Sequence, residues 1–135
     1  MILQQLLYLP AYYKNRQEAV NTVMLSNLNI EKKENQLICN CIANRKYQVS
    51  IIINGRIQSS SEIMIDCTCE SFKYEFAYTV GRDKSLIYPN RYLKTISKDK
   101  NKFLHLTGCK HLIKFGSYIF ANKIKIERSF NNVIK

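Results

Sequence analysis

Gln36-Leu37-Ile38-Cys39-Asn40-Cys41-Ile42-Ala43, then Tyr47-Gln48-Val49-Ser50-Ile51-Ile52-Ile53, then Asn54-Gly55: this run decides the fold. Its first two parts are rich in Ile, Val, Tyr and Cys, residue types that suit a pleated, half-buried surface. Asn54-Gly55 directly after three isoleucines is a hairpin signal, because both central residues of a type I′ turn need positive φ and Asn and Gly tolerate it best. Ile63 to Asp66 supplies a further strand, and Ser59, Ser60 and Ser61 mark a bulge or loosened loop on the way to it. Together these runs predict a β-meander beginning near Leu28.

Downstream of the meander stand Cys67-Thr68-Cys69 and Cys109-Lys110-His111. Three thiols and one imidazole are the ligand count and softness of a closed tetrahedral zinc site, so Zn2+ is the expected cofactor, held by Cys67, Cys69, Cys109 and His111. In extended chain, side chains i and i+2 point the same way, which lets Cys67 and Cys69 turn both sulfurs to one ion where a strand ends. Inside a helix the same spacing places side chains about 200° apart. Cys109 therefore belongs in the turn opened by Gly108, and His111 on the first turn of a helix. Leu112, Ile113, Phe115, Ile119 and Phe120 recur at helical spacing and carry that helix to about Asn122. The class expected is α+β: a small antiparallel sheet, a zinc clamp and a C-terminal helix.

Cys39 and Cys41 repeat the C-x-C spacing, but His105 is the only other unused ligand and three ligands do not close a site. They are expected to be inward-facing thiols of a strand, and His105 a surface or core histidine. A Cys/His nucleophile pair would need an accessible thiolate and an oriented base. The Cys/His neighbours here are better explained as metal ligands, and a saturated zinc offers no open position, so no enzymatic activity and no small-molecule substrate are expected.

These residues resemble the SWIM-type zinc finger, whose signature is C-x-C, a variable interval and C-x-H. Cys67, Cys69, Cys109 and His111 match its four ligands, Phe72 falls at its aromatic position, and the run from Cys109 to Leu112 leads into a helix as in the family. The resemblance covers roughly residues 47–121 and departs from the family in an interval of 39 residues between Cys69 and Cys109. Loop closure costs only about 0.6 kcal/mol per doubling of length, so that interval does not forbid the site. In its stand-alone size, and in the run from Phe72 to Tyr78 after the C-x-C, the chain is also similar to small SWIM-like proteins of tailed bacteriophages. That similarity implies a virion component such as a neck or portal-associated ring, a homo-oligomer in contact with other virion proteins, in the virion or the host cytoplasm. The alternative it leaves open is a nucleic-acid-binding SWIM module acting in DNA transactions.

The chain has 135 residues, 46% of them hydrophobic and 23% charged, which suits one compact domain with a buried core. Its net charge of +11 makes a polyanion or an acidic protein surface a natural partner. Residues 91–135 hold eleven Lys/Arg against Asp99 and Glu127, a net +9, while residues 1–90 are nearly balanced. Arg91, Lys94, Lys98, Lys100, Lys102, Lys110 and Lys114, with Tyr88 and Tyr92 interleaved, are the expected contacts to nucleic acid or to an acidic partner. Ile, Asn and Lys supply 17, 13 and 15 residues, a bias that an AT-rich genome explains, so part of the lysine excess is genomic. No apolar run approaches the roughly 18 residues of a membrane span. Five cysteines, an odd number, without a basic-plus-apolar leader in Met1 to Leu9, point to a reducing compartment.

Four further segments carry expectations. Residues 1–14 form an apolar N-terminal arm or short strand interrupted by Pro10, which either packs on its own domain or docks on a neighbouring subunit. Asn15 to Ser26 has helical spacing, although Thr22 and Val23 also suit a strand. Phe72, Tyr74, Phe76 and Tyr78 alternate as in a strand or aromatic ribbon, and a long loop or hairpin follows Gly81. Residues 122–135 read as a basic tail with some strand character.

Overall fold

The computed structural model describes residues 1–8, 14–92 and 106–133. A short helix α1 (Leu3–Leu7) and a helix α2 (Lys14–Asn21) precede four strands, β1 (Leu25–Lys33), β2 (Gln36–Ala43), β3 (Tyr47–Asn54) and β4 (Ile63–Cys67). A π-helical turn (Phe72–Phe76) runs into α3 (Ala77–Arg82), a 3-10 turn (Pro89–Tyr92) follows, and α4 (Lys110–Ala121) and α5 (Lys123–Val133) close the chain. The fold is α+β, as expected. No helix among the described residues is long and apolar enough to cross a membrane.

The sheet is an antiparallel meander in the order β1-β2-β3-β4. Alternation assigns its faces: Leu37, Cys39, Cys41 and Ala43 of β2, Val49, Ile51 and Ile53 of β3, and Ile63, Ile65 and Cys67 of β4 are buried. Register stacks them across strands, as in the row Ile30, Cys39, Ile51, Ile65 and the row Cys41, Val49, Cys67. Helix α4 lies on this face with Leu112, Ile113, Phe115 and Ile119 turned inward. The expected inward thiols Cys39 and Cys41 are therefore in place. Among the described residues β1 is the outer strand beyond β2, and it starts earlier, at Leu25, than its texture suggests.

Asn54-Gly55 does not make the expected two-residue turn. Gly55 takes the left-handed conformation, φ 77°, but Asn54 does not; it stays the last residue of β3, and eight residues separate it from β4. Part of that dipeptide serves the neighbouring hairpin instead: the Gly55 amide donates to the Asn35 carbonyl at 2.7 Å and the Asn54 side chain accepts from Gln36 at 2.8 Å, while the Asn54 amide donates to the Glu62 carbonyl at 3.0 Å and closes the longer loop to β4. The intervening loop, with the three serines, has its own anchors. Ile57 is buried and its amide donates to Glu127 of α5, while the carbonyls of Ser59 and Ser61 receive the first amides of α1. The two-residue hairpin lies between β1 and β2, where Lys33 faces Gln36 and Glu34 has positive φ; between β2 and β3, where Ala43 faces Tyr47, both Asn44 and Arg45 have positive φ.

Three other expectations change. The apolar start is a helix packed on its own domain, with Leu3 and Leu6 fully buried and α1 lying against α4. The aromatic run is helical: a strand would put all four rings on one face, whereas Phe72, Phe76 and Val80 recur at a spacing of four and are buried, with Tyr74 and Tyr78 turned outward. The C-terminal segment is helix α5, anchored by Ile126 and half-buried Phe130. Asn15 to Ser26 divides into α2 and a short link, with Val20 and Val23 buried. The sheet also includes β1 and β2, ahead of residues 47–121. Lys94, Lys98, Lys100, Lys102 and His105 lie outside the described residues.

Candidate metal centre

Cys67 is the last residue of β4, opposite Val49, and its carbonyl faces the Tyr92 hydroxyl at 3.3 Å. The chain then leaves the sheet under control: the Thr68 amide donates to Gln48 at 3.1 Å and the Thr68 hydroxyl accepts from the Gln48 amide at 3.0 Å. This fixes the direction of Cys69. The π-helical turn beginning at Phe72 presents its first amide to the Cys69 sulfur at 3.3 Å. On the other side Cys109 is the N-cap of α4 with extended backbone, and His111 is the second helical residue. Strand end and helix start thus meet as the C-x-C and C-x-H spacing requires.

The four side chains converge. His111 Nδ1 lies 3.8 Å from the sulfurs of both Cys67 and Cys109, and the four ligand atoms all fall within 4.8 Å of one another. A tetrahedral ion with metal–sulfur bonds near 2.3 Å and a metal–nitrogen bond near 2.0 Å requires sulfur–nitrogen separations of about 3.5 Å, so the two 3.8 Å separations at His111 need only a slight contraction. Exposures are 1% for Cys67, 4% for Cys69, 0% for Cys109 and 3% for His111. Among the described residues this is the one Cys/His/Asp/Glu group arranged to hold a metal ion.

Charge within the trio of thiols is uneven. Hydrogen bonds from Cys109 and then Cys67 hold the Cys69 thiol far below its ordinary range, although burial opposes them. Burial lifts Cys109 well above that range. At Cys67 the hydrogen bond from Cys109 pulls down, but the hydrogen bond and charge of Cys69, with burial, outweigh it and the net shift is upward.

Around the ligands is a second ring of contacts. The His111 ring lies 4.9 Å from the Tyr47 ring, and its outer nitrogen Nε2 lies 3.4 Å from the side-chain nitrogen of Asn44. Behind Cys67, buried Asp66 accepts from Tyr92 at 2.6 Å and pairs with Arg91 at 2.7 Å. Phe72, at the aromatic position the resemblance implies, is fully buried edge-on to Tyr92. Asn44, Tyr47 and Asp66 were not anticipated from sequence; the signal for the first two was the polar Asn44-Arg45-Lys46 link between two apolar strands.

Cys39 and Cys41 stand apart from this cluster. Burial raises both thiols to about 12, helped at Cys39 by its neighbour, so they are protonated apolar residues of the core. Of the expected partner contacts, Arg91 is committed to Asp66 and lies 4.1 Å over the Tyr88 ring, and Lys110 and Lys114 are half-buried on α4. Comparisons with protein-family models, with curated proteins and with solved structures return no match for this chain.

Proposed function

We propose that the chain is a non-enzymatic structural protein in which Zn2+, held by Cys67, Cys69, Cys109 and His111 as in a SWIM-type finger, clamps α4 to the end of β4. One observation carries this reading: all four donors are buried and their ligand atoms lie within 4.8 Å of one another. A hydrolytic zinc keeps a site open to water or substrate, whereas three thiolates and an imidazole complete the tetrahedron. The finer reading, an oligomeric virion component of the neck or portal-associated kind, is supported by the resemblance to SWIM-like phage proteins.

A second reading, contact with nucleic acid, is favoured by one feature of the surface. Lys110 and Lys114 are half-buried on α4, and Ala121, at its end, shares a shallow depression with Lys125 and Arg128 of α5. Glu127, the one acid of these two helices, is turned to the Ile57 amide and Arg56. Both C-terminal helices thus carry cations of the kind that a phosphate backbone recruits.

Light scattering of the purified protein at low and high salt separates the two. A large, salt-resistant assembly is expected for the structural role. A monomer that retards DNA at low salt, with log K against log salt falling by about 0.9 per phosphate neutralised, would favour the second reading.

A further inference from the structure

Asn44 occupies a position whose hydrogen bonds are determined from two sides. Its backbone amide donates to the Met24 carbonyl at 2.8 Å, and its side-chain oxygen accepts from the Met24 amide at 2.9 Å. That second bond assigns the orientation of the side-chain amide, because the Met24 N–H needs an acceptor and the NH2 group is not one. The NH2 group is consequently the part aimed at His111 Nε2, 3.4 Å away. It is a donor, so the nitrogen it faces must be the ring's acceptor, and the ring proton then sits on Nδ1, between the Cys67 and Cys109 sulfurs.

A metal ion reverses this requirement. His111 can ligate only through Nδ1, the nitrogen on the sulfur side, and a neutral imidazole ligated there carries its proton on Nε2. A metal-bound histidine ordinarily gives that outer N–H to a carboxylate, a backbone carbonyl or water. Here it meets a second donor. Turning the Asn44 amide over would satisfy His111 and set the same conflict against the Met24 amide.

We propose that Asn44 opposes metal loading of the cluster of three cysteines and one histidine, because Met24 fixes its amide as a donor toward the ring nitrogen that a metal-bound His111 must itself use as a donor. Asn44 is a positioning residue, acting through His111 and not on the ion. The inference rests on the metal-centre reading above. Its consequence is a site of lowered affinity, linked through Met24 to the start of β1.

The test uses the full chain. Wild type, Asn44→Asp, Asn44→Gly and Arg45→Gln are titrated with Zn2+ against a competing chelator at one pH, and their Co2+ forms are compared by visible spectra. An aspartate at 44 offers two acceptor oxygens, one for Met24 and one for His111, and tolerates the positive φ of 52° found there. Glycine removes the side chain and also suits that φ. Arg45→Gln changes the charge of the same turn by the same unit without altering the contact to His111.

Asn44→Asp is expected to bind Zn2+ about tenfold more tightly than wild type, the usual size of an outer-partner effect. Asn44→Gly should bind no more weakly than wild type, Arg45→Gln should stay with wild type, and all Co2+ spectra should keep the pattern of three sulfur ligands and one nitrogen. Weaker binding by Asn44→Gly, or no gain for Asn44→Asp beyond Arg45→Gln, overturns the proposal. Absence of metal uptake by all four proteins would overturn the metal-centre reading with it, whereas a wrong ranking among four zinc-binding proteins overturns this inference alone.

Discussion

Leu6 of α1 rests directly on Gly116 of α4: a Cβ added at Gly116 would lie 2.9 Å from Leu6 Cδ2 and 3.2 Å from Leu7 Cδ2. Gly108, beside Cys109, is met in the same way by Leu6 Cδ1 at 2.9 Å. The N-terminal segment is therefore part of the packing that positions the helix carrying His111. Leu6→Ala should cost about 2–5 kcal/mol, the range for emptying a buried leucine site. The loss should appear as a lower melting temperature at every protein concentration. If only the size of an assembly changed, with monomer stability intact, the segment would belong between subunits.

Tyr92 and Asp66 form the support behind Cys67. Burial raises the Asp66 carboxyl above its ordinary range, while the Tyr92 hydroxyl and then Arg91 pull it back. Tyr92→Phe leaves one buried oxygen without its donor and should cost about 1–3 kcal/mol in chemical denaturation. It should also raise the Asp66 pKa further, readable by carboxyl NMR. An unshifted carboxyl would show that the hydroxyl does not support it.

Acid should release the metal and the fold together. In the zinc-bound fold the three thiolates carry no protons, while the unfolded thiols, with pKa near about 8.5, are protonated below that pH. The unfolded chain binds more protons, so stability of the loaded protein rises with pH up to that value and falls as pH drops. Melting of the loaded protein at about pH 6 should precede melting at about pH 8. Because the ion binds thiolates, loading near neutrality should release protons, their number showing how many of the three thiols were protonated beforehand. Titration calorimetry in buffers of different ionisation enthalpy gives that count.

Cys39→Ser should leave metal content unchanged, since Cys39 lies on the sheet row of Ile30, Ile51 and Ile65 and outside the ligand cluster. A hydroxyl in that buried row should nevertheless lower stability by about 1–3 kcal/mol. Loss of metal would place Cys39 in the centre.

The strands and the grouping of Cys67, Cys69, Cys109 and His111 were legible because each depends on local spacing. Period-two burial in β2 and β3 and the two ligand pairs at i and i+2 can be read without knowing what they pack against. Where tertiary context decides, sequence misled. Asn54-Gly55 has the chemistry of a tight turn, yet the Asn35 carbonyl and the Gln36 side chain claim it. Phe72 to Tyr78 alternates in aromatic character, but the core selects Phe72 and Phe76 from one side of a helix and leaves the tyrosines outside. The polar Asn44-Arg45-Lys46 link marks a turn, but it could not point to His111, 67 residues away, as the partner of Asn44.

The central claim is that Cys67, Cys69, Cys109 and His111 hold a structural zinc ion. Elemental analysis of the full chain, purified without chelator, tests it most directly. One zinc per chain is expected, falling away in Cys69→Ser and His111→Ala, with chelation of the wild type lowering its melting temperature because metal-binding energy is folding energy. Protein that carries no stoichiometric metal, or variants that keep it, would contradict the account.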